Sequence, residues 1–141
     1  MKKLLILIIV IAGIYFVADK LWMNEASGVT VLNPSPNELV SFPIQVLLEV
    51  SGTGGWAIFE GQAGTAQLFD SNGMALTDPE LLTGQSSNFA YDFPQTFFAD
   101  LGDSNTINKI TTKDGYISLF SAGAKDGEVL KELKIPVRFS Q

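Results

Sequence analysis

The sequence predicts an all-β domain of about seven short strands, carried behind one N-terminal transmembrane or signal helix. Three observations lead there. Residues 4 to 18 are an unbroken apolar run behind Lys2 and Lys3. Everything after Met23 lacks a capped helical period. The same body alternates apolar and polar residues in short runs separated by glycine, proline, asparagine and aspartate.

The N-terminal run comes first. As a helix, Leu4 to Ala18 reaches about 22 Å, and adding Asp19 to Met23 brings it to about 30 Å, the thickness of a hydrocarbon core. Lys20 then snorkels and Trp22 sits at headgroup level. A cleaved signal peptide is the alternative, but it needs small residues at −3 and −1. Phe16-Val17-Ala18 places a phenylalanine at −3, and Ala26-Ser27-Gly28 lies far downstream. The reading is therefore a signal anchor over 1–23, a polar linker over 24–28 and a domain over 29–141. Lys2 and Lys3 stay in the cytoplasm, and the domain lies outside it on a single-pass chain. Secretion after cleavage is the rival location.

In the body, VTVLN is a short strand stopped by Pro34 and Pro36. PIQVLLEVSG places Ile44, Val46, Leu48 and Val50 on one face. GTGG is a loop. WAIFEG and TAQLFD are expected as strands, which would put Trp56, Ile58 and Glu60 on one side and Phe59 on the other. Asp70-Ser71-Asn72-Gly73 is a hairpin-turn signal with glycine placed for a positive φ. NFAYDFPQTFFADL is aromatic-rich, GYISLFS is another strand, and EVLKELKIPVRFS closes the chain. Pro136 marks that last strand as an edge, or sits where no ladder donor is needed. About seven strands in roughly 110 residues is the pattern of an immunoglobulin-like β-sandwich.

Composition removes whole classes of chemistry. The 141 residues hold no cysteine and no histidine. Disulfides, thiol nucleophiles and histidine-based triads cannot be built. The net charge is −6, and no lysine or arginine occurs between Leu21 and Asn108. Such a body repels phosphate backbones, so no nucleic-acid partner is expected. The basic residues from Lys109 to Arg138 are expected to pair with the earlier acids across neighbouring strands.

The order of four segments resembles the immunoglobulin-like domain of bacterial spore germination proteins. These are VTVLNPSPNELVSFPIQVLLEVSG, WAIFEGQAGTAQLFDSNG, FAYDFPQTFFADL and KIPVRF. The resemblance covers about Val29 to Phe139. It implies a β-sandwich outside the cytoplasm, beside other envelope modules, and it implies no particular reaction.

The residues singled out are Trp56, Phe59, Glu60, Asp70 and Gly73, as structural or binding candidates. Glu60 is expected to accept backbone N–H groups from the glycine-rich loops beside it. A carboxylate raised against Trp56 could serve catalysis, but no second carboxylate lies at a motif spacing. Asp70 to Gly73 lacks the later ligands of a calcium loop, and a site around Asp100, Asp103 and Asn105 would be weak. No metal or cofactor is expected. The expected activity is non-catalytic binding or scaffolding at the cell envelope, with the membrane engaged through the N-terminal helix and an envelope protein or polymer as partner. An enzyme using paired carboxylates on envelope polymers is the alternative.

Overall fold

A computed structural model describes residues 28–84, 93–122 and 129–140. The anchor expected over 1–23 lies outside the described residues, as do Phe89 and Tyr91 of the aromatic run.

The described chain is nearly all β. Its strands are β1 (Val29–Asn33), β2 (Glu38–Val40), β3 (Ile44–Val50), β4 (Gln62–Asp70), β5 (Glu80–Gly84), β6 (Gln95–Leu101), β7 (Asp114–Ala122) and β8 (Val129–Phe139). A 3-10 turn occupies Thr106–Lys109. The strands form one mixed sheet in the order β1-β3-β6-β5-β4-β7-β8-β2. All pairings are antiparallel except β2 with β8.

That order forces the sheet to curl. β1 and β2 are its two edges, yet only Pro34 to Asn37 separate them in the chain. Such a link spans at most about 18 Å, so the edges must come together. β5 makes the bend on the other side. Its Glu80, Leu81 and Thr83 pair with Ala66, Thr65 and Gln62 of β4, while Thr83 and Gly84 also pair with Phe98 and Phe97 of β6. The result is two facing halves, β1-β3-β6-β5 and β4-β7-β8-β2.

Alternation fills the space between them. Ile44, Val46, Leu48 and Val50 are buried as expected, opposite Leu101, Ala99 and Phe97 of β6. Ala66 and Leu68 of β4, Ile117 and Leu119 of β7, and Ile135, Val137 and Phe139 of β8 complete the core. Each large apolar side chain so buried contributes roughly 1.5–3 kcal/mol.

Three expectations need correction. The eight strands outnumber the seven expected, because β2 and β5 have no periodic signature. WAIFEG is not a strand: Trp56 to Ile58 run as a loop, and Phe59 and Gln62 exchange both backbone hydrogen bonds at 2.8 Å. Glu60 (φ 49°) and Gly61 (φ 78°) fill the two central places of that turn. Two successive positive φ angles make a type I′ hairpin turn, which glycine fits without strain. Third, the ion pair among the described residues joins Lys134 to Glu132 at 3.8 Å within β8, rather than joining late cations to early acids.

Pro136 sits where its missing donor costs nothing. Its carbonyl accepts from Asn37 N–H at 2.7 Å, on the side where β2 is only beginning. In a strand the N and O of one residue point the same way, so its nitrogen faces that gap and not β7.

Candidate functional site

Trp56 is 6% exposed, and its indole N–H donates to the Ala63 carbonyl at 2.8 Å. Ala57 N–H donates to the Ser121 hydroxyl at 3.1 Å. These two bonds tie the β3–β4 loop down on both sides. Phe59, one turn further, is 51% exposed. Glu60 is exposed, and among the described residues its carboxylate accepts no hydrogen bond. The role expected for it, gathering backbone donors, falls to other residues. The hairpin turn holds Glu60 off the strand, so it does not share a face with Trp56.

Asp70 does what was expected of Glu60. It is fully buried, and its Oδ1 accepts from Asn72 N–H at 2.9 Å and Met74 N–H at 2.8 Å. Its own N–H donates to the Met74 carbonyl at 2.9 Å, and Gly73 N–H donates to the Asp70 carbonyl at 3.1 Å. With Gly73 at φ 84° this is a three-residue hairpin loop closed by a glycine bulge. Oδ2 of Asp70 is buried and has no partner among the described residues. Asp103 plays the same part at the turn before the 3-10 segment. Its Oδ1 accepts from Asn105 N–H at 2.9 Å and from Thr106 N–H at 3.1 Å, and it lies 3.2 Å from the Thr106 hydroxyl. The Asn105 N–H is the largest influence and lowers its pKa; desolvation pushes the other way, and Thr106 adds to the lowering. Asp103 is thus spent on its own loop. Among the described residues no group of three or more acidic side chains is placed to hold a metal ion.

Two sheet faces remain. On β4-β7-β8, Phe69 and Tyr116 stack with centroids 5.3 Å apart and planes 11° from parallel. Lys134 Nζ lies over the Tyr116 ring, 4.9 Å from its centroid. Ser118 donates to Glu132 at 2.8 Å beside them. Tyr116 is therefore engaged within the chain by both Phe69 and Lys134.

The outer face of β1-β3-β6-β5 is different. The register puts Leu47 opposite Phe98 and Phe98 opposite Thr83, in one row across three strands. Glu49 pairs with Thr96 on one side of that row, and Gln45 with Asp100 on the other. Leu81 and Leu32 are 50% and 48% exposed on the flanking strands. None of the four strands contains a lysine or arginine. An apolar row between two carboxylates, on a surface without a cation, suits a partner that brings apolar side chains and positive charge together. Sequence reasoning missed Leu47 as a site residue, whereas Phe98 belongs to the aromatic-rich run NFAYDFPQTFFADL noted from the sequence. The long stretch without basic residues was visible, but only the strand order assembles it into a face.

No family model, curated protein or solved structure matches the chain.

Proposed function

We propose that the chain is a membrane-anchored, extracytoplasmic immunoglobulin-like module of the bacterial cell envelope, which binds a cationic partner on one sheet face and carries no catalysis. Strand order supports the sandwich. The halves β1-β3-β6-β5 and β4-β7-β8 follow the two-sheet order of immunoglobulin domains, with β2 added in parallel to β8. The apolar run behind Lys2 and Lys3 supports the anchor.

The observation that carries the binding reading is the Leu47–Phe98 row between Glu49 and Asp100 on a cation-free half. The same two carboxylates weigh against the hydrolase alternative. They stand about 14 Å apart at Cα on one open sheet face, whereas a glycosidase holds its two carboxyls facing each other across a cleft.

The test is photo-crosslinking of the full-length chain in its native membranes, with the reactive residue at position 98 and, as a control, at position 134. The expected result is a discrete adduct from position 98 whose attached peptide is rich in lysine or arginine, weakened by added salt. An adduct from position 134 alone, or one that carries an acidic peptide, would overturn this assignment of the face.

A further inference from the structure

We infer that the end of the domain bearing Phe59 and Phe93 rests on the bilayer, with both rings in the interfacial layer. This rests on the reading of residues 1–23 as an anchor, and goes beyond it by fixing which end of the domain faces the lipid.

The strand directions define that end. β1 leaves it, β3 arrives at it with Val50, and β6 leaves it from Gln95, the partner of Val50. The chain enters the sheet there, at Gly28. The Gly28 carbonyl accepts from Ser51 N–H at 2.9 Å and from the Ser51 hydroxyl at 3.2 Å. The start of the domain is thus pinned to the β3–β4 loop. Asn24 to Gly28 can span at most about 18 Å in any conformation, so an anchor ending at Met23 keeps this end close to the membrane surface.

What this end presents suits lipid. Phe59 projects from the tip of the Glu60–Gly61 turn at 51% exposure, and Phe93 is 44% exposed. Phe93 is set in place by Gly52, where an added β-carbon would lie 2.5 Å from its ring. Between them runs Gly52-Thr53-Gly54-Gly55, which carries no charged side chain. Apolar rings beside an uncharged, glycine-rich stretch are what an interfacial contact requires.

The Lys131 ammonium donates to the Gly54 carbonyl in the same loop.

The chain has no cysteine, so a single label can be placed anywhere. The full-length protein carrying Glu60→Cys, or Met74→Cys at the far end, is labelled with an environment-sensitive dye. It is then reconstituted in phosphatidylcholine–phosphatidylglycerol vesicles, with nitroxide-bearing lipids as quenchers. The expected result is a blue-shifted label at position 60, quenched several-fold more than the label at position 74. Phe59→Ser with Phe93→Ser should cut that quenching by half or more while the protein still floats with the vesicles. Flotation with equal, water-like signals at both positions would overturn the inference and leave the anchor standing. A protein that does not float at all would strike the anchor reading and this inference with it. Capture of the position-60 label by an envelope protein in native membranes, with no quenching by lipid, would also overturn it.

Discussion

The indole N–H of Trp56 reaches across the Phe59–Gln62 hairpin to the carbonyl of Ala63, at 2.8 Å in the interior. The bond fastens the long β3–β4 loop to the first rungs of β4, and Ala63 itself is fully buried. Trp56→Phe keeps most of the packing and deletes the donor. The buried carbonyl then loses a partner and the smaller ring leaves a gap, for an expected cost of about 2–4 kcal/mol. Urea unfolding measures this as a lowered midpoint with an unchanged slope.

Glu60 should behave in the opposite sense. It occupies a left-handed position that asparagine adopts more readily, next to a glycine that already suits the turn. Glu60→Asn is expected to stabilise the domain by about 0.5–1 kcal/mol. A midpoint below that of the parent would mean that the Glu60 carboxylate holds something the turn geometry does not require.

Asp70 separates two effects of one carboxylate. Asp70→Ala leaves the Asn72 and Met74 N–H groups without their acceptor and should cost about 2–3 kcal/mol. Asp70→Asn keeps an acceptor for those bonds and removes the charge from a buried site whose second oxygen has no partner among the described residues. It should therefore cost clearly less than the alanine change. Equal losses in the two variants would show that the charge, not the acceptor, closes the loop.

Asp103 gives a pH signature. Its carboxyl titrates lower in the folded chain than in an ordinary aspartate, chiefly because the Asn105 N–H donates to the charged form. The stabilisation is therefore complete above about pH 4 and drains away as pH falls through the folded value. Asp103→Asn should unfold more easily than the parent at pH 7, and the gap between them should close in acid. Paired urea titrations at pH 7 and pH 3 check this, and a gap that widens in acid would refute it.

The parts of the fold that were legible in the sequence were those with a steady period. Ile44 to Val50 keeps an apolar residue at every second place, broken on its outer side only by Leu47, and is a two-sided strand; so is the stretch from Leu133 to Phe139. β2 is only Glu38-Leu39-Val40, too short to show a period. β5 is five residues long with Leu81 and Leu82 side by side, so it shows no alternation. WAIFEG misled because four apolar residues of strand-like character precede the turn, while its marker, Gly61, follows a glutamate that seldom takes a left-handed conformation. At the candidate site the shortage of cations was legible, but the pairing of Leu47 with Phe98 was not, because they lie 51 residues apart in strands whose adjacency only the topology supplies. Asp70 was found for its turn, and its burial was not foreseeable from the turn signal.

The parallel pairing of β2 with β8 also decides how the domain answers to pulling. The chain comes in at Gly28, at one end of the sheet, and β8 finishes at Phe139, at the other. A tension between a fixed N-terminal side and anything gripping the C-terminal side therefore runs lengthwise. The rungs from Glu38–Val137 to Val40–Phe139 lie across that line and are loaded together, as are those from Val29–Val50 to Val31–Leu48. Bonds loaded side by side must fail at once, whereas a hairpin pulled open at its tip gives way one rung at a time. A tethered domain built this way resists stretching along its tether more than it resists peeling from the side.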